Sequence, residues 1–378
     1  MTRVLATGDL VLERPDSAPL LAAAAAALGA ADVLIGHLEV PHTDATVTMS
    51  TDVPALPAPP SALDGVAAVG FDVLTLAGNH VFDLGQKGIA DTRAHCLTRG
   101  MAVTGAGADL REAWEPAVIE REGRRVVVLS VNCVGPRESW AGSGKPGCAY
   151  VEVITHYEPR GANPGGPPRV HTFAEPRTLG VMAEEIRRHA IDDDVSVIVA
   201  LHRGLVHQPV DIAAYEHEIA RAAIDAGAAA VIGHHAHIMK GIEVHAGRPI
   251  FHGLGNFATV TRALSGEDGD SPERRAWARE RRRLFGFEPD PAMPDYPFHP
   301  DSRNTAIAVI DIDGSGTVTA GLIPCRIDDA ARPVPVARAD GGDAVGEYIR
   351  DITRDAGLST AFDWEGDRLT IRLEEGPR

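Results

Sequence analysis

The stretch Val231-Ile232-Gly233-His234-His235-Ala236-His237 sets three histidines within four residues, directly after a run of apolar side chains. Alternating residues at the end of a strand, such as His235 and His237, can point two imidazoles into one cavity. Neutral imidazole is the commonest metal ligand among side chains. A second stretch, Leu76-Ala77-Gly78-Asn79-His80-Val81-Phe82-Asp83, also places polar groups after a hydrophobic strand. Together the two stretches predict a metal site assembled from loops.

The composition around these stretches is that of an ordinary soluble globular protein. The chain has 378 residues, of which 44% are hydrophobic and 24% are charged, enough for one large domain or two smaller ones. Its formal net charge of -17 argues against nucleic acid or an anionic membrane as a partner.

The N-terminus and the cysteines predict a cytoplasmic protein. The segment Met1–Ala6 enters a predicted strand at once, which leaves no room for a signal peptide. The alanine run at 22–27 is too short for a membrane span. The four cysteines lie far apart and form neither a metal nor a redox spacing, which fits reduced thiols: Cys96, Cys133, Cys148 and Cys325.

Short apolar runs alternate with helical patterns through most of the chain. The predicted strands are Val4–Gly8, Val33–Leu38, Val73–Leu76, Met101–Thr104, Val195–Leu201 and Ala229–Ile232. The predicted helices are Pro19–Leu28, Ser61–Val69, Lys87–Arg99, Glu175–His189 and Ile212–Ala226. Hairpins are predicted over 118–131, 242–252 and 305–324. The pattern favours an α/β fold in which sheets are flanked by helices in layers.

Two long stretches interrupt this alternation and are predicted to be insertions. A Gly- and Pro-rich segment near 135–170 is too long for a simple connection, so we expect a functional loop there. A second insertion near 259–300 contains a predicted Arg-rich helix between Pro272 and Leu284. We expect one domain over residues 1–330 that carries both insertions. Residues 331–378 are expected to extend that domain by one helix and a terminal strand.

Five segments share one form, a hydrophobic strand that runs into a polar loop. They are Gly8-Asp9, His37-Leu38-Glu39, Gly78-Asn79-His80, Leu201-His202-Arg203-Gly204 and Gly233-His234-His235-Ala236-His237. Ligands of open α/β sheets gather outside the carboxyl ends of the strands, so the five loops are expected to converge there. Their mixed oxygen and nitrogen groups, without thiolate, suit manganese, iron or zinc better than copper(I) or a cluster.

These ordered motifs make the sequence resemble the CapA family, poly-γ-glutamate capsule-biosynthesis proteins within the metallophosphatase (calcineurin-like) superfamily. The resemblance covers roughly residues 3–258 and, more loosely, 300–325. Gly253-Leu254-Gly255-Asn256-Phe257 also looks like that family. The resemblance implies a four-layered α/β/β/α sandwich with a metal centre at one edge.

The resemblance also implies a role for each motif residue. Asp9 and His237 would bind a first divalent metal, and Glu39 would bridge two metals. The second metal would take three further ligands, which are Asn79, His202 and His235. A superfamily-like site would also use His80, oriented by Asp83, as the general acid that protonates a leaving group.

Two departures from the family pattern alter these expectations. The superfamily usually has histidine two residues after the first aspartate, and here that position is Val11. We therefore predict an asymmetric centre with one well-held metal and one weak, exchangeable or absent metal. In capsule-type members the histidine that corresponds to His202 tends to be followed by Trp, Gly, an acidic residue and an aromatic one. This chain has Arg203, Leu205, Val206 and His207 there, which argues against a poly-γ-glutamate substrate.

Several further polar residues are candidates for the rim of the site. Arg203 could clamp a carboxylate or phosphate, or form a structural ion pair instead. His37 and His207 could face the substrate, or they could be supporting and loop residues. In the segment 298–304, His299 could supply an acid or base and Arg303 an anchor for a carboxylate, unless the segment is only a polar turn. The arginines at 274–283 could bind an acidic peptide or form a lid, although a solvated helix face is the commoner explanation.

Three functions remain open at this stage. A metal that polarises a carbonyl acidifies the neighbouring Cα–H, and histidines could remove and return that proton, as in a peptide epimerase. Soluble CapA-like proteins include epimerases that act on ribosomal peptide precursors, so the resemblance permits this function. The alternatives are a metal-dependent hydrolase of a phosphoester or amide bond and a non-catalytic subunit of a polymer-assembly complex. The features above narrowly favour the epimerase, with a peptide or small molecule that carries a carboxylate or phosphate as its substrate.

Overall fold

The computed structural model describes residues 1–50, 57–121, 123–159, 161, 166–262 and 271–373. Its strands, numbered in chain order, are β1 Thr2–Leu12, β2 Val33–Leu38, β3 Val73–Thr75, β4 Ala102–Thr104, β5 Ala106–Gly107, β6 Ala117–Arg121, β7 Arg124–Asn132, β8 Gly147–Cys148, β9 Val153–Glu158, β10 Arg169–Ala174, β11 Val195–Arg203, β12 Ala228–His235, β13 Ile242–His245, β14 Arg248–Phe251, β15 Asn256–Val260, β16 Asn304–Ile312, β17 Val318–Ile327, β18 Pro333–Pro335, β19 Phe362–Glu365 and β20 Arg368–Ile371. Its α-helices are α1 Ala18–Leu21, α2 Ala25–Leu28, α3 Ala62–Val69, α4 Gly85–Leu97, α5 Leu110–Ala113, α6 Pro176–His189, α7 Ala214–Asp225, α8 Pro272–Phe285 and α9 Gly342–Asp355. Short 3-10 helices are Arg137–Ser139, Pro300–Arg303 and Arg338–Asp340.

Two large sheets organise these elements. Within the described residues, the larger sheet has ten strands and the smaller has six. The larger sheet runs in the order β19-β20-β17-β16-β1-β2-β3-β4, with β15 added beside β1 and β18 beside β17. The smaller sheet runs in the order β13-β14-β12-β11-β7-β6. Strands β1 to β4 are parallel to one another, and so are β7, β11, β12 and β14.

Three apolar clusters separate the layers. One cluster lies between the two sheets and includes Ile35 from the larger and Ile198 from the smaller. A second cluster packs helices α1 to α4 on the outer face of the larger sheet, with Leu63 at its centre. The third packs α6 and α7 on the smaller sheet, through residues such as Ile219. The predicted four-layered α/β/β/α sandwich is therefore confirmed.

Most predicted strands and helices are present with boundaries that differ by only a few residues. The exception in the first third is the helix predicted over Pro19–Leu28, which is divided into α1 and α2. The Ala24 amide donates to the Leu21 carbonyl at 3.0 Å, so a tight turn replaces the α-helical hydrogen bond. Neither short helix begins with a side-chain cap, which leaves the alanine run without a fixed start.

The predicted loop near 135–170 contains more regular structure than expected. It includes a 3-10 helix, strand β8, which pairs with β5, and strand β9, which pairs with β10. Residues 160 and 162–165 of this segment lie outside the described residues.

The C-terminal prediction of one helix and a terminal strand is only partly correct. Helix α9 is present, but β19 and β20 form a hairpin through Gly366-Asp367. Gly366 has a φ of 59°, a left-handed conformation that suits such a turn. Strand β20 joins the larger sheet beside β17.

The strand register brings the predicted site residues to one edge of the molecule. In the larger sheet, Asp9 of β1 lies opposite His37 of β2. In the smaller sheet, His202 of β11 lies opposite His234 of β12. The carboxyl ends of these parallel strands therefore open toward a common site, as the sequence predicts.

Candidate metal centre

The two sheets meet where β1 and β12 approach each other. Asp9 is fully buried, and its Oδ1 lies 2.9 Å from Nδ1 of His234. The backbone amide of His235 donates to Oδ2 of Asp9 at 3.3 Å. Gly8 permits the close packing beside this carboxylate, because a Cβ at position 8 would lie 2.1 Å from the Gly255 carbonyl oxygen. Asp9 is thus fixed between the sheets.

A first set of donors consists of Asp9, Glu39 and His237. One ligand atom from each lies within 4.8 Å of the other two. Nε2 of His237 is 3.2 Å from Oε1 of Glu39, and its Nδ1 is 3.5 Å from Oδ2 of Asp9. Oε2 of Glu39 is buried without a hydrogen-bond partner among the described residues. A buried carboxylate oxygen without a donor fits a cation that would be shared with these neighbours.

A second set of donors consists of Asn79, His202 and His235. Nε2 of His202 lies 2.8 Å from Oδ1 of Asn79 and 3.1 Å from Nδ1 of His235. Asn79 lies in the loop after β3, whereas the two histidines lie in the last two residues of β11 and β12. One amide oxygen and two imidazole nitrogens converging in this way fit manganese, iron or zinc.

The backbone around the histidine motif is strained. His235 has a φ of 88° and His237 a φ of 54°, both in the left-handed region that side chains other than glycine rarely occupy. His207, which packs nearby, has a φ of 58°. Such conformations persist only where surrounding contacts hold them, and they concentrate at functional sites.

Burial and neighbouring charges set the protonation of the donors. Burial, together with the charge of His237, lowers the pKa of His235 to about 3. Burial also lowers the pKa of His202, with His37 and His235 adding to the effect. Burial would raise the pKa of Glu39, but the charge and hydrogen bond of His237 outweigh it, so the pKa lies below its ordinary value. His202 and His235 therefore offer neutral imidazoles and Glu39 an ionised carboxylate, the forms that bind metal, whereas Glu39, against the effect of burial, raises the pKa of His237 to about 9.

His80 and Asp83 form a hydrogen-bonded pair beside these donors. Nδ1 of His80 lies 2.6 Å from Oδ2 of Asp83. Burial would lower the pKa of His80, but the hydrogen bond and charge of Asp83 raise it above its ordinary value. The His80 side chain keeps 14% of its surface exposed, so it holds a proton at the edge of the cavity.

His207 lies under an aromatic roof on the same cavity. Its ring centroid is 6.0 Å from that of His237, 5.0 Å from Phe285 and 4.8 Å from Phe287. Its Nδ1 is buried without a hydrogen-bond partner among the described residues. Burial lowers the pKa of His207 well below its ordinary value. This imidazole is therefore neutral near pH 7.

His299 and His207 both pack against the ring of Phe287. Its ring packs edge-on against Phe287 at 5.2 Å, and its Nδ1 accepts the Asp301 amide at 3.1 Å. The preceding residue, Phe298, packs on His237 at 5.0 Å. The segment 298–304 therefore reaches the site through Phe298, while His299 caps the 3-10 helix Pro300–Arg303. This capping contact argues against the predicted acid–base role of His299.

The structure does not bring the two predicted arginines to the cavity. Arg203 is fully buried, and its NH1 pairs with Oε2 of Glu216 at 3.2 Å. Adjacent residues of a strand point to opposite faces of the sheet. Because the His202 side chain points toward the site, the Arg203 side chain points away from it. Arg303 donates to the Ile327 carbonyl at 2.9 Å and pairs with Asp329 at 2.7 Å. The structural ion pair, rather than the predicted substrate clamp, accounts for both arginines.

His37 is also placed differently from the predicted substrate-binding role. Only 1% of its surface is exposed, and its Nδ1 lies 3.0 Å from Oγ1 of Thr75. Its ring stacks on His234 at 4.5 Å and packs against His202 at 4.7 Å. His37 therefore packs on His234 and on the donor His202 and supports them from within the core.

A second histidine–carboxylate group, formed by His217, Glu243 and His252, has a structural explanation. Nδ1 of His217 lies 2.7 Å and Nε2 of His252 lies 2.9 Å from the same oxygen of Glu243. Arg203 donates to Nδ1 of His252 at 3.2 Å, so the single ring proton of neutral His252 must sit on Nε2. That nitrogen is then a hydrogen-bond donor to Glu243 rather than a metal ligand.

Sequence reasoning assigned no role to Asn256 and left that of His234 open. Oδ1 of Asn256 lies 2.9 Å from Nδ1 of His237. Asn256 belongs to the Gly-Leu-Gly-Asn-Phe passage, which resembles the family and could have marked it as a site residue. The sequence does not show which residue Asn256 contacts. His234 contacts Asp9 as described above, and its Nε2 is buried without a partner among the described residues.

The departure at position 11 is visible in the structure. Val11 is 5% exposed and packs with Val40 and Ala58 in a small apolar cluster. An apolar side chain thus occupies the position where the superfamily usually supplies an imidazole. The predicted asymmetry of the two donor sets remains a prediction about metal affinity.

The match to a known family follows the same residues. Residues 3–261 match the family model described as bacterial capsule synthesis protein PGA_cap. The chain belongs to the PGA_cap family. This match includes every strand end that contributes a donor, and it confirms the resemblance to CapA proteins.

Named relatives of this PGA_cap protein include two bacterial proteins. The PGA biosynthesis protein CapA of Bacillus subtilis (strain 168) is 29% identical over 315 residues, which cover 82% of this chain and 64% of that protein. A "probable polyglutamine synthesis accessory protein" of Mycobacterium tuberculosis (strain ATCC 25618 / H37Rv) is 30% identical over 237 residues. These residues cover 62% of this chain and 55% of that protein. The chain thus spans less than two thirds of the length of either relative.

Among solved structures, the chain is similar to a "putative 5'-nucleotidase" from Staphylococcus aureus in complex with alpha-ketoglutarate. The TM-score is 0.41 at 12% identity, over 93% of this chain and 58% of that one. Among the described residues, no helix combines the length and apolar character needed to cross a membrane. All four cysteines are buried and free of disulfides.

Proposed function

We propose that this PGA_cap protein is a metal-dependent enzyme that exchanges a proton at a Cα atom of a peptide, an epimerase. The observation that carries the proposal is a pair of imidazoles in opposite surroundings beside the donor sets. His80 is hydrogen-bonded to the carboxylate of Asp83, whereas Nδ1 of His207 is buried without a partner among the described residues. One imidazole is thus arranged to hold a proton and the other to accept one.

The donor sets would hold the metal that this chemistry needs. Asp9, Glu39 and His237 would bind one ion, and Asn79, His202 and His235 another. A bound divalent ion, manganese, iron or zinc, would polarise a carbonyl oxygen and make the neighbouring Cα–H more acidic.

The protein side chains would carry the proton itself. In the proposed reaction the Cα–H bond breaks and the proton passes to the neutral imidazole of His207. His80 then delivers its proton to the same carbon from another direction, and Asp83 holds the His80 ring in place. No bond other than Cα–H changes, so the peptide keeps its mass and only its configuration differs.

The roof of the site combines aromatic rings with a cation, because the guanidinium of Arg281 stacks on Phe285 at 5.4 Å. Phe285 and Phe287 form the roof above His207, and Arg203 does not reach the cavity. We infer that a carboxylate or phosphate of the substrate is bound by the metal rather than by Arg203 or Arg303.

Heavy water distinguishes this reaction from hydrolysis. The metal-loaded protein is incubated in D₂O with a pool of synthetic peptides. The proposal predicts a gain of one deuterium at a single Cα, a D-residue on chiral analysis and no cleavage. Cleavage products without deuterium at Cα would contradict it. The His156→Gln variant, which changes an exposed histidine on β9, serves as the control.

A hydrolase is the second candidate, because two donor sets lie side by side. Two cations in such an arrangement jointly activate water for attack on phosphoesters or amides. His80 would then protonate the leaving group. Release of phosphate or amine from p-nitrophenyl phosphate esters or poly-γ-glutamate, stopped by a chelator, would favour this candidate over the epimerase.

An accessory role in polymer synthesis is the third candidate, and the names of the relatives favour it. In that case neither deuterium exchange nor cleavage is expected. A His235→Ala variant would keep its place in the polymer-assembly complex, whereas both enzymatic candidates predict that the same variant loses activity.

A further inference from the structure

Asn256 links the metal centre to the second insertion. It begins β15 and lies opposite Asp9 in the parallel pairing with β1. Its Oδ1 is 2.9 Å from Nδ1 of His237, and its Nδ2 donates to the hydroxyl of Tyr296 at 3.1 Å. Asn256 itself is fully buried. The amide therefore connects a candidate ligand to residue 296 of the insertion.

The donor and acceptor of each hydrogen bond between Ser302, Tyr296, Asn256 and His237 can be assigned. The Tyr296 hydroxyl donates its single proton to the Ser302 carbonyl at 2.8 Å, and a carbonyl can only accept. The Tyr296 oxygen is then left to accept from Asn256, which fixes the amide with Nδ2 toward Tyr296. Oδ1 of Asn256 must face His237 as an acceptor, so Nδ1 of His237 must carry a proton.

The other ring nitrogen of His237 is thereby committed to the donor set. Nε2 lies 3.2 Å from Oε1 of Glu39. With its proton fixed on Nδ1, the ring can offer a lone pair only at Nε2, which a divalent ion would bind in place of a proton. The His237 ring is also packed against Phe298 at 5.0 Å, and Phe298 packs on Tyr296 at 5.0 Å.

We infer that Asn256, oriented by Tyr296, is a positioning residue that fixes His237 with Nδ1 protonated and Nε2 available as the metal ligand. The inference rests on the metal centre of the proposed function, and it adds a purpose for the insertion near 259–300. Outer residues of this kind typically change metal affinity by about 10- to 100-fold when they are removed.

Zinc binding and ring NMR test the inference without any substrate. Zn²⁺ affinity is measured by competition with a chromophoric chelator, and the His237 ring is observed in zinc-loaded protein labelled with ¹⁵N-histidine. We expect Asn256→Ala to weaken zinc binding at the His237 site by about 10- to 100-fold and to remove the Nδ1–H signal of His237. Asn256→Asp retains an acceptor and should retain that signal. Tyr296→Phe should weaken binding less than Asn256→Ala.

Thr305→Val is the matched control. Oγ1 of Thr305 is also buried, and it donates to the Leu254 carbonyl at 3.1 Å without touching a donor of the centre. This variant should lose some stability but keep its zinc affinity and its His237 signal.

Two results would overturn different parts of the account. Unchanged affinity and an unchanged Nδ1–H signal in both Asn256→Ala and Tyr296→Phe, while His237→Ala loses the ion, would refute the positioning role alone. If His237→Ala also kept full zinc affinity at both sites, the first donor set would be wrong as well, whereas the proposed function would fail only if His202→Ala and His235→Ala also kept theirs. Should Asn256→Ala fail to fold, Tyr296→Phe decides the question: the inference predicts a weaker zinc affinity than that of the wild type, and an unchanged affinity would overturn it.

Discussion

His80 and His207 show how one type of side chain takes two protonation states within one site. His80 faces the carboxylate of Asp83, which stabilises its charged form. His207 lies under Phe285 and Phe287, where an unpaired charge would be costly. The difference comes from their neighbours and could not be read from the residue type. The proposed role of His80 as proton donor therefore depends on its hydrogen bond with Asp83.

Replacing His80 or Asp83 tests this contrast. We expect His80→Gln to slow deuterium exchange by about 100- to 10,000-fold, the usual contribution of a general acid or base. His156→Gln should leave the rate unchanged. An equal rate in His80→Gln would remove His80 from the mechanism.

The pH dependence should move when Asp83 loses its charge. His80 donates its proton only below its pKa, so the rate falls as the pH rises through that value. Because Asp83 raises the pKa of His80, Asp83→Asn should move this fall to lower pH. Titration of the His80 ring by NMR checks the direction, and an unshifted ring would contradict the assignment.

At the scale of elements, the contact between β1 and β15 holds the first donor set together. The Asp9 amide donates to the Gly255 carbonyl at 2.9 Å, and only a glycine at position 8 leaves room for that carbonyl. We expect Gly8→Ala to push β15 away, to lower the unfolding temperature and to weaken metal binding. Gly180→Ala is the control, since a Cβ there meets nothing within 4 Å in helix α6 and should stabilise it slightly. Equal metal affinity in wild type and Gly8→Ala would contradict this role of the strand contact.

A buried ion network behind β11 belongs to the same scale. Glu216 is fully buried and receives both Arg203, at 3.2 Å, and Lys240, at 3.1 Å. Glu216→Gln would leave two buried cations without a counter-charge, so we expect a loss of about 3–5 kcal/mol in the free energy of unfolding. Chemical denaturation measures it, with the exposed Glu184→Gln of α6 as the control. A loss no larger than that of the control would show that the network is not needed for stability.

At the scale of the whole molecule, buried histidines make the fold sensitive to acid. Burial lowers the pKa of His42 to about 4, despite its contact with the Val40 carbonyl, and lowers that of His252 to about 3, despite Glu243. Both lie outside the donor sets. Their unfolded forms take up a proton near pH 6.5, whereas the folded forms do not. Their stabilising effect is therefore complete above pH 6.5 and is lost as the pH falls toward the folded values.

Denaturation of the metal-free protein at pH 7 and pH 5 checks this expectation. The wild type should lose roughly 2 kcal/mol through His42 alone between pH 6.5 and 5. His42→Leu should show a correspondingly shallower dependence on pH. Parallel curves for the two proteins would contradict the role of His42.

The fold and half of the site could be predicted because local patterns determine them. An apolar run followed by Gly8-Asp9 or Gly78-Asn79-His80 predicts a strand and also predicts that polar residues lie at its carboxyl end, where ligands bind. Arg203 was misassigned because its sequence position beside His202 suggests proximity, while strand alternation turns it into the core. The link from Asn256 to His237 depends on the pairing of β15 with β1, which no local pattern shows.

Elemental analysis after equilibrium dialysis tests most directly whether the donor residues bind a divalent cation. The account predicts that the wild-type protein retains at least one equivalent of manganese, iron or zinc, and that His202→Ala and His235→Ala each lose the tightly held ion. An anomalous-scattering map should place that ion among Asn79, His202 and His235. Full metal content in both variants, or an ion found elsewhere, would contradict the account.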